Sequence, residues 1–278
     1  MSTTNWVEGP FPHDDVDVFA IGDIHGCPDE LEALHTTINS VKPSAESNIV
    51  HLGDYVDRGP GSARVLEYLA DYSESNDSAV FIRGNHDQFL IELVQPDPDP
   101  DLDRYFINMW YENGGTQTMR SLGVNGYGRL LEQGNIAELR KRTIAALGEQ
   151  RIDFLLSTTL HHQVGNYLFV HAGIRPGMSL EEQDFSDLLL IREPFLSAQD
   201  NWDHPFCVVH GHSISTPGVL PHRIAVDAGV YLNGTLCAVQ ISKQGIRFIG
   251  VTKDADFSWG ERFDNPSIGL SWKAARQL

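Results

Sequence analysis

Three apolar runs in this chain stop in the same way. DVDVFAIGD (15–23), SNIVHLGD (47–54) and SAVFIRGN (78–85) each end on a Gly followed by an oxygen-bearing side chain: Asp23, Asp54 and Asn85. Both steps between those residues are 31 residues long (54 − 23 and 85 − 54). Short apolar runs bounded by such residues read as buried strands. After the first, Pro28 stands where a first helical turn would begin, and Leu31, Leu34, Ile38 and Val41 follow at helical spacing. GPGSARVLEYLADYS supplies a second helix and DQFLIELV a third. The order is βαβαβ, and the step matches the roughly 30-residue length of one βαβ unit. A mainly parallel α/β sheet with right-handed crossovers is therefore expected. Such a sheet delivers three oxygen ligands side by side at its carboxyl edge, where open α/β sheets bind ligands.

Charge excludes some partners. Lys+Arg total 20 against Asp+Glu 38, a formal net charge of -18. A surface that negative repels nucleic acid and anionic lipid, so neither is an expected partner. Cys27, Cys207 and Cys237 are odd in number and far apart, which fits a reducing cytoplasm rather than a disulfide framework. The N-terminus shows no basic segment leading into an apolar run, and no apolar run approaches the ~18 residues of a membrane helix. A cytoplasmic protein is expected.

The rest of the chain reads as one domain over 1–278. Residues 1–14 form an N-terminal extension. QPDPDPDLD is an acidic, Pro-broken connector. Residues 97–157 read as a helical insertion beside the sheet, interrupted at Gly114-Gly115. HHQVGNYLFVHAG returns to β, with Gly165-Asn166 as a hairpin turn. FCVVHGH, HRIAVDAG, TLCAVQIS and IRFIGV read as further strands, and 255–278 as a surface-wrapping tail.

Five Gly-flanked polar clusters end apolar strands: GDIHG (22–26), GDYVDRG (53–59), GNHD (84–87), HAG (171–173) and HGH (210–212). Any one alone reads as a turn or a structural histidine. Together they supply carboxylate, imidazole and amide oxygen, a mixture that suits Mn, Fe or Zn more than Mg or Ca.

GDIHG, GDYVDRG, RGNHD, VHAG and HGH resemble the motifs of the calcineurin-like metallophosphoesterases, and specifically of the phosphoprotein phosphatase family. NGGTQT, HAGIRPGMSLEEQ, LLLIREPFL and VVHGHS resemble its bacterial branch, and the likeness spans about residues 17–240. The resemblance implies a two-sheet αβ sandwich with flanking helices and a centre of two divalent metals, Mn first and Fe or Zn as alternatives. It implies that Asp23 and His25 bind one metal, that Asp54 bridges, and that Asn85, His171 and His212 complete the second. His210 is then placed behind the ligands. Arg58 and Arg192, with Asn85, match phosphate-binding positions. Asp57 and His86 match a carboxylate–imidazole pair beside the leaving group, with His86 as general acid. The implied reaction is in-line attack by a metal-bridging hydroxide on a phosphate monoester of a phosphoprotein or small molecule, as in serine/threonine protein phosphatases.

Two features depart from that branch. The chain has GNHD, with Asp87, where protein phosphatases usually continue GNHE. With RGPGS (58–62), this ending resembles the symmetrical dinucleoside tetraphosphatases, which tend to lack the acidic residue present here as Asp57. A symmetrical dinucleoside tetraphosphatase or a broad small-molecule phosphatase is the alternative. Asn113 is read as lining the cleft or capping a helix, Arg83 as structural, Cys27 as a small helix-start residue, and His161, His162 and His204 as surface or hairpin residues.

Overall fold

The structure, a computed structural model, describes residues 1–11, 17–42, 47–95 and 104–253. The acidic connector from residue 96 to 103 and the tail 255–278 lie outside the described residues, as does part of the N-terminal extension.

The strands in chain order are β1 (Ser2–Thr3), β2 (Val18–Ile21), β3 (Asn48–His51), β4 (Ala79–Phe81), β5 (His161–Val164), β6 (Tyr167–Val170), β7 (Cys207–His210), β8 (Gly218–Val219), β9 (Arg223–Ala225), β10 (Thr235–Ser242) and β11 (Gly245–Thr252). The first sheet runs β1-β11-β10-β2-β3-β4, and the second runs β5-β6-β7-β9-β8. β2, β3 and β4 are parallel, as are β6, β7 and β9. The N-terminal extension is not loose: β1 pairs with β11, and Val7 bridges Ile246.

The period-2 pattern of each strand divides its side chains between two cores. Val18, Ala20, Val50 and Leu52 face the second sheet and meet Phe169, Val209 and Ile224 there. Phe19, Ile21 and Ile49 face the helical layer, α1 (Pro28–Val41) and α2 (Ser62–Ser75), and pack with Leu31, Leu34, Ile38, Val65, Leu66 and Leu69. A third cluster of Leu168, Val170, Val208, Leu188, Ile191 and Phe195 covers the outer face of the second sheet. Two sheets packed face to face with helical cover is the sandwich that the motifs imply.

The third crossover differs from its sequence reading. α3 spans Asn85–Val94, so Asn85 and His86 lie in its first turn rather than in a turn ahead of it. Gly84 takes the N-cap, and Asp87 reaches back to accept from Gly84 N (2.9 Å) and Tyr55 N (2.8 Å). A side chain on Gly84 would place its Cβ 2.2 Å from Asp54 N and Oδ1, so only Gly allows the approach.

Residues 104–157 are helical: α4 (Arg104–Trp110), a widened π-type turn (Tyr111–Gly115), α5 (Thr116–Ser121), α6 (Tyr127–Glu132), α7 (Ile136–Leu147) and α8 (Glu149–Ser157). Gly114, at φ 117°, makes the break expected there. Ile107, Trp110, Met119, Leu139 and Phe154 join the same core as α1–α3.

Candidate active site

Backbone strain marks the site. Among the described residues, the non-glycine residues with positive φ are His25, Asp54, Asp57, Arg58 and His212. All five were picked from the sequence as site residues. Holding a non-Gly residue in such a conformation costs about 1–3 kcal/mol, and it persists where the surroundings over-determine it. Here the strand-end loops interlock: Ile24 N and His25 N both donate to Asp54 O, at 3.1 and 2.7 Å.

Two groups of ligand atoms meet at Asp54. His25, Asp54 and His86 form one, Asp54, His171 and His212 the other, with the offered atoms in each within 4.8 Å of one another. His25 Nε2 lies 3.4 Å from Asp54 Oδ2, and His171 Nε2 lies 3.4 Å from Asp54 Oδ1. Asn85 Oδ1 is 3.0 Å from His171 Nε2 and 2.9 Å from His212 Nδ1.

The tautomers follow from the outer partners. His25 Nδ1 donates to Val56 O (2.9 Å) and His171 Nδ1 to Leu52 O (2.8 Å), because a carbonyl only accepts. In the neutral rings each Nε2 is then a bare lone pair. Burial pulls His25 down to about 3 and His212 to about 2, and lowers His171 as well. Burial alone would raise Asp54, but the surrounding imidazoles His171, His86, His25 and His212 hold it below the usual carboxylate range. Lone pairs of two imidazoles, His25 and His171, thus converge on a carboxylate and an amide oxygen. His212 Nε2, moreover, is buried without a hydrogen-bond partner. Acceptors converging with no proton between them fit divalent cations, and a backbone carbonyl on the far ring nitrogen is the usual support for a metal-ligating histidine.

Asp23 lies outside both of these groups. Both its oxygens accept from His212 N (3.1 and 3.0 Å), and it hydrogen-bonds to Asp227. The group on the His25 side converges without it, and His86 stands there instead. A side chain at Gly211 would put its Cβ 2.0 Å from Asp23 Oδ1, so this glycine is what lets the last histidine loop close over the carboxylate.

His86 is distinguished by its outer partner. Its Nδ1 lies 2.7 Å from Asp57 Oδ2. Burial opposes charge on the ring, but Asp54 and Asp57 together raise its pKa. Trp110 Nε1 donates to the same Asp57 oxygen (2.7 Å), and Thr118 Oγ1 donates to Oδ1 (2.6 Å).

The two arginines sit differently. Arg58 Nη1 donates to Tyr231 OH (2.9 Å), and the guanidinium carbon lies 4.7 Å from the centre of the Tyr231 ring. Arg192 is exposed, and its charge lowers the pKa of His171 and His212. His210 is buried and engaged on both nitrogens, with Gly211 O (2.9 Å) and Arg223 Nη1 (3.2 Å).

Sequence reading missed Asp227, Tyr231, Trp110 and Thr118. Asp227 carried a usable signal, since VDAG at 226–229 repeats the strand-end-then-Gly pattern of VHAG at 170–173. Asn113 is exposed in the widened turn, where it donates to Met109 O (2.7 Å). His204 is not a surface residue, because its side chain is only 9% exposed and packs against Trp202 and Phe206. Arg83 is structural through hydrogen bonds to Thr158 and Gln88. Cys27 is buried just ahead of α1, and burial pushes its thiol up to about 12.

A family model described as calcineurin-like phosphoesterase matches residues 16–234. The chain belongs to the calcineurin-like phosphoesterase family. Among curated relatives, a symmetrical bis(5'-nucleosyl)-tetraphosphatase from Nitrosospira multiformis is 28% identical over 165 residues, covering 59% of this chain and 46% of the relative. One of the same description from Salmonella arizonae is 43% identical over 76 residues, covering 27% and 25%. This calcineurin-like phosphoesterase thus spans about half the length of the first of these relatives. A solved structure described as a candidate diadenosine tetraphosphatase shares the fold at TM-score 0.57 and 21% identity, covering 87% of this chain and 96% of that one. A serine/threonine phosphatase from Saccharomyces cerevisiae shares it at TM-score 0.51 and 15% identity, covering 90% and 87%. Among the described residues, no helix is long and apolar enough to cross a membrane.

Proposed function

We propose that this chain hydrolyses phosphate esters and anhydrides at the two acceptor groups that share Asp54, with a symmetrical dinucleoside tetraphosphate as its first candidate substrate. The observation that carries the reaction class is the shared carboxylate, with imidazole nitrogens 3.4 Å from each of its oxygens. Two divalent ions held by Asp23, His25, Asp54, Asn85, His171 and His212 would supply activated water and neutralise charge on the phosphoryl oxygens. The mixed donor set suits Mn, with Fe or Zn as alternatives.

The chain's own groups do the rest. Arg58, braced on Tyr231, and exposed Arg192 offer guanidinium forks to the phosphoryl oxygens, and Asn85 adds its amide. His86, oriented by Asp57, holds a proton for the leaving oxygen.

The substrate reading rests on the curated relatives and takes precedence over the serine/threonine protein phosphatase expectation, for which the yeast enzyme offers a likeness of fold only. One observation favours a second reading, a phosphomonoesterase acting on phosphoserine or small esters. The Asp57–His86 pair is intact and buried. An alkoxide leaving group needs the proton such a pair supplies, whereas a nucleotide leaving group needs it far less.

One assay separates the two. A dinucleoside tetraphosphate, a phosphoserine peptide and p-nitrophenyl phosphate are compared by kcat/KM with added Mn. Preference for the tetraphosphate, split into two diphosphates, supports the first reading, and preference for the peptide supports the second. No turnover of any of them by metal-loaded protein rejects both.

A further inference from the structure

The helical segment after α3 reaches into the acid pair. Asp57 is 0% exposed, so no water competes for its oxygens. Oδ2 accepts from Trp110 Nε1 and faces His86 Nδ1, both at 2.7 Å. Oδ1 accepts from Thr118 Oγ1 at 2.6 Å. The single hydroxyl proton of Thr118 is thereby used. The 2.9 Å contact between Ser62 Oγ and Thr118 Oγ1 must then be donated by Ser62. Asp57 N in turn donates to both hydroxyls, at 3.1 and 2.9 Å. Carboxylate and backbone are held together at a residue whose φ is 72°.

We propose that Trp110 and Thr118 are positioning residues for protonation of the leaving group: from the far side of Asp57 they fix its carboxylate, and through it they fix the ring of His86. This rests on the reading of His86 as the leaving-group acid. Among the described residues, neither side chain hydrogen-bonds to His86, Asp54 or the other candidate ligands, and their route to His86 runs through Asp57. With both oxygens engaged the carboxylate cannot rotate. His86 Nδ1 is then tied to Oδ2, and Nε2 is left to face the reacting oxygen. The indole is itself fixed, because a Cβ at Gly115 would lie 2.6 Å from its ring. The same segment also holds the backbone of Arg58, whose N donates to Gly114 O (3.4 Å). The helices after α3 therefore set the geometry of the leaving-group side of the site as well as covering a core.

The test uses Mn-loaded full-length protein and a series of phosphate monoesters, from p-nitrophenyl through phenyl to a phosphoserine peptide. Trp110→Phe keeps an aromatic ring and removes the N–H. Thr118→Val keeps the shape and removes the hydroxyl, and Thr118→Ser restores it. In both of the first two variants kcat should fall about tenfold on the poorest leaving group and less than about twofold on p-nitrophenyl phosphate, a share of the ~10²–10⁴ that general acids contribute. Metal content should be unchanged, and Thr118→Ser should recover most of the loss. In a His86→Asn background neither change should add further dependence on the leaving group. Equal losses across the series would make both residues merely structural and overturn the proposal. If Trp110→Phe does not fold, the Thr118 pair decides alone. If His86→Asn itself loses rate equally across the series, the reading of His86 fails and takes this proposal with it. If His86→Asn shows the dependence and neither clamp variant does, only the positioning proposal fails.

Discussion

His86 and His171 are the same side chain, both buried, both within reach of Asp54, and their surroundings shift their pKa values in opposite directions. His171 gives its Nδ1 proton to a neutral carbonyl, and burial lowers its pKa. His86 faces a carboxylate, and against the pull of burial Asp54 and Asp57 raise its pKa. A backbone carbonyl fixes a tautomer and favours the charged ring too little to offset burial, whereas a carboxylate favours it more strongly. Proximity to the acceptor groups therefore does not define a ligand. The atom on the far side of the ring separates a lone pair offered to a cation from a proton held for a leaving group.

The most severe test of this contrast removes what the two histidines share. Asp54→Asn should abolish metal binding at both groups. Loss of one outer partner of a ligand typically costs 10–100-fold, so this shared carboxylate should cost more than about 100-fold in activity. Metal analysis and turnover on p-nitrophenyl phosphate should fall together, and a metal-replete, active variant would refute a shared centre.

Next come the histidines themselves. His86→Asn should retain metal and lose ~10²–10⁴-fold on a phosphoserine peptide, with a much smaller loss on p-nitrophenyl phosphate. His171→Asn should lose metal and should not distinguish the two substrates. The same pattern in both variants would erase the distinction drawn above.

Arg192→Ala should leave metal content alone and weaken inhibition by inorganic phosphate roughly ten- to hundredfold, the equivalent of ~1.5–3 kcal/mol for a charged hydrogen bond. A collapse in thermal stability with phosphate affinity unchanged would instead make Arg192 a structural ion-pair residue.

The smallest effect concerns a pair away from the chemistry. His35 Nε2 and His51 Nε2 lie 2.9 Å apart beneath the first sheet, with Tyr68 OH on His35 Nδ1 at 2.9 Å. Burial pulls His35 down to about 4 and lowers His51 as well. The folded state thus binds protons less readily than the unfolded chain. Stability should be full above about pH 6.5 and should decline as pH falls from there toward 4, by at most about 1.4 kcal/mol per pH unit for each histidine. Urea unfolding at pH 7.5, 6.5 and 5.5 measures the slope. His35→Gln should flatten it relative to the parent, and an unchanged slope would place the acid sensitivity elsewhere.

Much of the site was legible because much of it is local. Asp23, Asp54 and Asn85 each follow a strand by one loop, and a βαβ crossover has a nearly fixed length, so equal spacing became adjacency at one sheet edge. His171 and His212 were legible through the glycines beside them, since a strand-end loop that must approach Asp23 closely admits no side chain at Gly211. Trp110, Thr118 and Tyr231 were not legible. An apolar Trp in a helix reads as core, which Trp110 also is, and nothing nearby in the chain shows that its N–H meets a carboxylate 53 residues earlier. His204 was read as a surface or hairpin residue, while Trp202 and Phe206 pack against its ring.

The sequence by itself determined the kind of atoms available and where the chain could present them: oxygen and imidazole donors at glycine-flanked strand ends, and two arginines nearby. Propensity, strand period and crossover length are short-range, and they act on residues close together in the chain. Only the tertiary structure decided which state each donor takes. That depends on the second atom each group touches, supplied by Leu52, Val56, Asp57 or Tyr231 from other loops. In a buried site, where water cannot screen or substitute, such contacts carry more weight than they would at the surface.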